Sequence, residues 1–414
     1  MNATPTHNQP VSRRVQNTLQ AAGSIIQYVT DPRWEERRKD PEACDFLLGN
    51  PHELPLQGVT AALQKWAVPQ DKDWFAYKMS EPRSRERIAK SLQASHKMPF
   101  AADDIAMTTG AFAGLSAVLG LVVDPGDEVI YISPPWFFYE MLIIQYDGQP
   151  VRVPCDRTTF DLDLQAIQRA ITRKTRAMIV NSPNNPTGRI YPEETLQKLS
   201  DLLAQASQEN GRTIYLLSDE AYNHIIFDGH AYPSPTAFYP DSFLIYTFGK
   251  TLLAPGQRMG YIALPPGMRD RETIRNSLFG MLVGIGYAFP NALLQHALED
   301  LEKLSIDVDR LQNKRDWLVR ELRQMGYEVT LPQGTFYLLV RSPLADDLAF
   351  TEILGEHKIY CLPGTIFELP GYFRISLTAN DEMIQRALPG FAKAYEHSLS
   401  ADRAAPDRAH QQKS

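Results

Sequence analysis

The sequence predicts an α/β protein. A large domain would hold a mostly parallel sheet of the seven-stranded type, flanked by helices, and a smaller α+β domain would follow. Three observations lead there. Apolar, β-rich runs alternate with helical stretches from Asp127 to Leu264, as parallel βαβ units require. The 414 residues suffice for two domains and a large core. Beyond residue 325 the alternation gives way to short strands set among turn residues. The expected division is 50–290 for the large domain, 1–49 with 291–400 for the small one, and 401–414 as a polar, disordered tail.

In chain order, the first 15 residues are polar and read as loose. Val15–Val29 reads as a helix, and Asp31–Glu42 as charged and exposed. Asp45–Pro55 is extended and ends in a turn at Gly49, Asn50 and Pro51. Ala61–Trp66 and Arg83–His96 read as helices on either side of the aromatic cluster Trp74, Phe75 and Tyr77. In Ile105–Val123 a short apolar strand meets Thr108-Thr109-Gly110, and a small-residue helix follows. Such a junction turns backbone N–H groups and the positive helix end outward, which suits a phosphate. Equally, a helix start needs such a glycine simply to turn.

The alternating region has candidate strands Glu128–Ser133, Pro150–Pro154, Ala177–Asn181, Thr213–Ser218, Phe243–Thr247 and Gly260–Leu264. Its helices are Trp136–Tyr146, Leu162–Ile171 and Pro192–Glu209. The last is bounded by Pro192 with two glutamates at its start and by Gly211 at its end. Asn291–Met325 is a long helical stretch with one break. Tyr327–Leu331 and Thr335–Val340 make a hairpin-like pair around Pro332-Gln333-Gly334. Lys358–Leu362 and Tyr372–Leu377 are further strands, and Glu382–His397 is a closing helix.

Composition narrows the function. A net charge of −7 without a basic block gives no support for nucleic-acid binding. Cys44, Cys155 and Cys361 lie far apart, without CxxC spacing, which suits a reducing compartment. No apolar run reaches the length of a membrane span, and the N-terminus has no apolar signal core. A cytoplasmic enzyme is the expectation.

Four segments carry chemistry. Asn181–Gly188, NSPNNPTG, offers rigid prolines and amide donors after a strand, though turns favour the same residues. In Ser218–Tyr222, SDEAY, Asp219 stands at a strand end, where a carboxylate meets a ligand or caps a helix. Lys250 stands where another strand ends, and Arg258 follows eight residues later, just before the next strand. A partly desolvated lysine there becomes a nucleophile; a solvated loop with two cations is the plainer reading. Arg374 lies inside the apolar strand YFRISL, which requires a partner: an anionic ligand or a structural ion pair.

The order NPTG, then DE-x-Y, then Lys250, then Arg258, then Arg374 in a C-terminal RIS strand resembles the aspartate aminotransferase superfamily. These are the class I/II, fold-type I enzymes that use pyridoxal 5′-phosphate, and the resemblance runs from Leu47 to Tyr395. It implies that Lys250 holds the cofactor aldehyde as an imine (a Schiff base) and moves the Cα proton. It implies that Asp219 pairs with the pyridine nitrogen, and that Tyr222 and Asn185 bond the ring's 3′ oxygen. Trp136 matches the aromatic that stacks on the ring. Gly110, Ala111 and Phe112 with Thr247 and Arg258 match the phosphate cradle. Arg374 matches the fork for the substrate α-carboxylate, with Asn185 and the Gly49 backbone nearby. Tyr77, or Phe75 in its place, matches the residue that reaches the neighbouring subunit's phosphate.

The chain also departs from the family pattern. Thr247 and Gly249 stand where hydroxyl residues are frequent, so one phosphate hydroxyl is missing. The phosphate loop reads Gly110-Ala111-Phe112 in place of the commoner turns. The resemblance implies a homodimeric aminotransferase of amino-acid metabolism and biosynthesis, taking an α-amino acid and a 2-oxo acid. A β- or γ-lyase, a small-ring synthase or a decarboxylase could use the same Lys250 and Asp219. A regulator's sensor domain is a third reading, disfavoured because the residues before Gly49 are too few and insufficiently basic for a DNA-binding module. Arg83, Arg85 and Arg152 are candidates for a second substrate carboxylate, and the aromatics Trp136, Phe137, Phe138 and Tyr139 for an apolar side chain.

Overall fold

The structure, a computed structural model, describes residues 10–411. Residues 1–9, expected to be loose, and residues 412–414 of the expected tail lie outside the described residues. The strands are β1 (Cys44–Asp45), β2 (Ile105–Thr108), β3 (Glu128–Ser133), β4 (Gln149–Pro154), β5 (Thr175–Asn181), β6 (Tyr215–Asp219), β7 (Ser242–Thr247) and β8 (Gly260–Ala263). They continue with β9 (Val329–Thr330), β10 (Tyr337–Arg341), β11 (Ile359–Tyr360), β12 (Leu362–Pro363) and β13 (Tyr372–Ser376).

A seven-stranded sheet runs β2-β8-β7-β6-β5-β3-β4. Only β8 is antiparallel to its neighbours β2 and β7; the other pairs are parallel. Helices cover both faces, so β5, β6 and β7 are almost wholly buried and read in sequence as unbroken apolar runs. Their last residues break that pattern. Ser133, Asn181, Asp219 and Thr247 close four parallel strands with polar side chains, all buried. Carboxyl ends of parallel strands are where open α/β sheets place ligands.

Close packing brings a helix start to the same edge. The helix Ala111–Val122 lies against β7 and β8 through Gly114, where an added Cβ would come within 2.9 Å of Ile245 Cγ2. Its small residues allow that approach and bring its N-terminus beside Thr247.

A second sheet, β12-β13-β10-β9, is antiparallel, and Arg374 on β13 pairs in register with Leu339 of β10. Its core includes Leu338, Val340, Phe350, Phe373, Ile375 and Phe391. The stretch 291–325 breaks once, as Ala292–Leu301 and Val308–Gln324.

The structure differs from expectation in several elements. The stretch 15–29 forms two helices, Arg13–Ala21 and Gly23–Thr30. Pro32–Arg38, read as exposed, is a helix that buries Trp34 against Tyr28 and Tyr360. Two helices, Arg271–Gly284 and Asp347–Glu356, had no counterpart in the sequence reading. The final helix is Asp381–Gln411, longer than the expected Glu382–His397.

No helix among the described residues is long and apolar enough to cross a membrane.

Candidate active site

Three strand ends and one sheet-to-loop crossing meet at a cavity of about 240 Å³. Its lining includes Gly49, Ala111, Phe112, Trp136, Asn185, Asp219, Tyr222, Thr247, Lys250, Arg258 and Arg374. Nearly every site residue singled out by sequence is therefore in one place. Gly110 adjoins it at the helix start. Tyr77 does not reach it within this chain: it is 88% exposed and lies 5.0 Å from the ring of Phe289. Phe75 is exposed as well.

Lys250 rides on a single helical turn, Phe248–Thr251, that begins where β7 ends. Thr247 Oγ1 caps that turn by accepting from Gly249 N at 3.4 Å. Leu253 N donates to Lys250 O at 3.2 Å and Ala254 N to Gly249 O at 3.1 Å, so the lysine's backbone is tied on both sides. Its Nζ lies 5.8 Å from the ring centre of Tyr222 and 5.5 Å from that of Phe336. The glycine at 249 has a packing reason: a Cβ there would sit 3.1 Å from Pro255 Cα.

Asp219 closes β6 and is 6% exposed. Burial pushes its carboxyl up to about 6, against the opposing pull of Tyr139, the Ala221 N–H and Lys250. Tyr139 O–H donates to Oδ2 at 2.6 Å. Sequence reading named Tyr139 only among the aromatics and missed this contact. It also missed Glu220, which is wholly buried behind Asp219. Glu220 accepts from Ser218 Oγ at 2.9 Å and Ser234 Oγ at 2.6 Å.

Tyr222 and Tyr337 meet at the cavity wall, their ring centres 6.1 Å apart at 71°. Burial raises the Tyr222 phenol. Burial acts on Tyr337 too, yet Arg374 and Lys250 beside it hold its phenol below the ordinary value.

Gly110 has φ 92°, a conformation that strains any residue with a Cβ. A Cβ there would come 2.8 Å from Arg258 Nη2 and 3.4 Å from Thr247 Oγ1. Glycine thus keeps open a small hollow with a helix N-terminus, a hydroxyl and a guanidinium around it. Arg258 is steadied from behind, its Nη1 donating to Pro255 O at 2.8 Å.

Arg374 is 2% exposed. Its Nη1 donates to Asn185 Oδ1 and its Nη2 to Leu47 O, both at 2.9 Å. Its Nε has no hydrogen-bond partner among the described residues. Asn185 is itself fixed, its N–H donating to Asn181 Oδ1 at 2.7 Å. Gly49 is required by contact: a Cβ would come 2.6 Å from the Tyr337 hydroxyl.

Of the three arginines considered for a second carboxylate, none lines this cavity. Arg85 pairs with Asp103, and Arg152 with Glu140 and Glu368. Arg83 lines a separate hollow with Trp66 and Glu299.

Comparison with known proteins agrees with this arrangement. Residues 44–391 match the family model described as aminotransferase class I and II. The chain is 30% identical over 384 residues to the probable aspartate/prephenate aminotransferase of Aquifex aeolicus, covering 89% of this chain and 95% of that protein. It is 29% identical over 395 residues to the aspartate/prephenate aminotransferase of Thermus thermophilus, covering 92% and 98%. Among solved structures, an amino transferase from Eubacterium rectale aligns with a TM-score of 0.86 at 30% identity, over 94% of this chain and all of that one. The Thermus thermophilus aspartate aminotransferase with maleate aligns with a TM-score of 0.79 at 26% identity, also over 94% and 100%. The chain belongs to the class I and II aminotransferases, pyridoxal-phosphate-dependent enzymes that move an amino group from an α-amino acid to a 2-oxo acid.

Proposed function

We propose that this aminotransferase works through Lys250, Asp219 and Tyr222, and that Arg374 receives the substrate's α-carboxylate. The convergence of Lys250, Asp219 and Arg374 on one cavity carries the reading. The residues present fit pyridoxal 5′-phosphate. A phosphate suits the hollow that glycine keeps open between Gly110, Thr247 and Arg258. The buried carboxyl of Asp219 suits a protonated ring nitrogen, because a positive partner offsets the burial that otherwise raises it. Trp136 offers a stacking face, while Tyr222 and Asn185 offer hydrogen bonds to the ring's oxygen.

When bound, the cofactor supplies an electrophilic carbon and a ring that accepts the electrons released at the substrate's Cα. Lys250 Nζ, standing in the cavity, would take the proton from the substrate's Cα. Asp219, held in place by Tyr139, would face the ring nitrogen and favour its protonated form. Arg374 orients the substrate with a planar fork; its unpartnered Nε is a buried donor that a carboxylate would satisfy.

A cytoplasmic homodimer with shared active sites, in amino-acid metabolism, is part of the same proposal. Supporting it are the exposed rings of Tyr77, Phe75 and Phe289, with Phe279 and Tyr287 exposed on the neighbouring segment. The three free cysteines are buried, as a reducing compartment permits. The division into domains 50–290 and 1–49 with 291–400 also belongs to the proposal, supported by the separation of the seven-stranded from the four-stranded sheet and by the pairing of β1 with β11.

A half-reaction screen tests the function. Purified holoenzyme is mixed with single amino acids, and both the cofactor absorbance and the 2-oxo acid formed are followed. Conversion with one or more of them is expected. Unchanged absorbance and no 2-oxo acid across all of them would overturn the reading.

A further inference from the structure

Glu220 is a second buried carboxylate beside the cavity, with no part in the chemistry assigned to Lys250, Asp219 and Arg374. It follows Asp219, the last residue of β6, and its N–H donates to Ile245 O of β7 at 2.9 Å. Successive side chains of an extended chain point to opposite faces. Asp219 accordingly lines the cavity, while Glu220 is sealed behind it at 0% exposure. Its Oε1 accepts from Ser218 Oγ and Ser234 Oγ, and its Oε2 accepts from Asn223 Nδ2 at 3.3 Å. His96, the last residue of the helix Pro82–His96, brings its Nε2 within 3.6 Å of the same Oε2. The imidazole is held on its other side by Ser95 Oγ, 2.7 Å from Nδ1. Burial alone would push the Glu220 carboxyl up, but His96 and Ser234 bring it below its ordinary value.

Hydrogen bonding alone does not require a charge at this position. A glutamine of nearly the same shape could accept from both serines. Its amide could donate to Asn223 Oδ1, once that amide turned over; this oxygen is buried without a hydrogen-bond partner among the described residues. A buried carboxylate is costly, so its presence points to a use of the charge itself. Asp219 is where that charge is felt. Burial raises the Asp219 carboxyl, and the negative charge of Glu220 acts in the same direction across a dry interior. A positive ring nitrogen facing Asp219 would be attracted by both carboxylates. The titratable groups around Glu220 are Asp219, His96, His224 and Tyr232 on the segment after β6, and Tyr261 on β8.

We propose that Glu220 is a positioning residue for amino transfer: its charge, faced by His96, acts through Asp219 to favour a protonated nitrogen in the cofactor ring. The proposal rests on the amino-transfer reading above and deepens it. Glu220 itself touches neither substrate nor cofactor. It makes Asp219 the better partner for a proton on the ring, and His96 limits the cost of burying a lone charge.

Two variants test the charge. Glu220→Gln keeps the hydrogen-bond partners and removes it; His96→Gln keeps the carboxylate and removes its counter-group. In the cofactor-free protein the Asp219 carboxyl is titrated by carbon-13 NMR. Its midpoint is expected to fall by about half a pH unit or more in Glu220→Gln, because a like charge has gone, and to rise in His96→Gln. A midpoint that stays at the wild-type value in Glu220→Gln, or in His96→Gln if the first variant does not fold, overturns the proposal. This readout needs neither cofactor nor turnover, so failure of amino transfer and failure of the positioning role are told apart. In the holoenzyme the ring nitrogen is followed by nitrogen-15 NMR with labelled cofactor. In Glu220→Gln its resonance is expected to move toward that of the unprotonated form. With it, kcat should fall about tenfold at a nearly unchanged KM for the amino acid, since Arg374 is untouched. A wild-type nitrogen resonance in that variant overturns the proposal.

Discussion

Arg374 Nη1 donates to Asn185 Oδ1 at 2.9 Å, linking a strand of the antiparallel sheet to the loop that follows β5 of the parallel sheet. The guanidinium also lies 3.9 Å from the ring centre of Tyr337. A substrate held by Arg374 and reacting at Lys250 must therefore touch both sheets. Binding would draw the two together, excluding water and fixing the Cα–H bond.

Arg374→Ala is expected to leave the cofactor spectrum unchanged and to lower kcat/KM for every amino acid. The loss should be about 2–4 kcal/mol, as for removing one member of a buried, hydrogen-bonded charge pair. Arg374→Lys should restore only part of it, since an ammonium cannot make two parallel bonds. Near-normal kcat/KM in Arg374→Ala would make the arginine purely structural.

Lys250→Ala should abolish turnover yet still take up the cofactor non-covalently, because Asp219, Arg258 and the amides after Gly110 remain. Borohydride reduction of the wild-type holoenzyme, followed by peptide mapping, should place the label on Lys250. A label on any other lysine would refute the assignment.

Asp219 makes the cofactor-free protein sensitive to pH. Its carboxyl sits at about 6 when folded, against a reference value of 3.8, so the folded state holds that proton more tightly. As pH rises between these values the unfolded chain ionises first, and stability falls; above about 6 the loss is complete. Two units correspond to about 3 kcal/mol. Cofactor-free Asp219→Asn should therefore lose less stability than wild type between pH 4 and 7, read from denaturant melts at each pH. Parallel curves would show that this carboxyl does not titrate there. In the holoenzyme, Asp219→Ala should lose turnover by ~10³-fold or more, because the electron sink is weakened. A helix-capping role would cost only about 1 kcal/mol of stability and spare kcat.

Gly110→Ala should weaken cofactor binding more than it weakens the fold. The added methyl would sit 2.8 Å from Arg258 Nη2 and fill the hollow, and the φ of 92° adds backbone strain. Equilibrium dialysis against the cofactor should show a dissociation constant raised at least tenfold. Wild-type affinity in a folded Gly110→Ala variant would remove the hollow from the cofactor site.

Much of this site was legible in sequence because it sits on strand ends. The buried strands β3, β5, β6 and β7 read as apolar runs, and Asp219 and Thr247 interrupt them where they stop. Tyr139 was not legible as a partner of Asp219, since the two lie 80 residues apart and no local pattern couples them. Trp34 misled for a different reason. One buried aromatic within Pro32-Arg33-Trp34-Glu35-Glu36-Arg37-Arg38 is too little apolar periodicity to signal a packed helix. Gly249 read as a missing phosphate hydroxyl. The structure adds that the backbone at Pro255 leaves little room for a side chain there.

The tied turn beneath Lys250 sets a limit on how its amine can travel. With the backbone pinned before and after it, the nitrogen swings from a stationary pivot, and its range is an arc whose radius is the side chain itself. Moving from one reacting carbon to another is then a matter of rotation about carbon–carbon bonds, not of loop motion. A side chain one methylene shorter at this position would sweep a smaller arc, and the pinned turn could not advance to make up the difference.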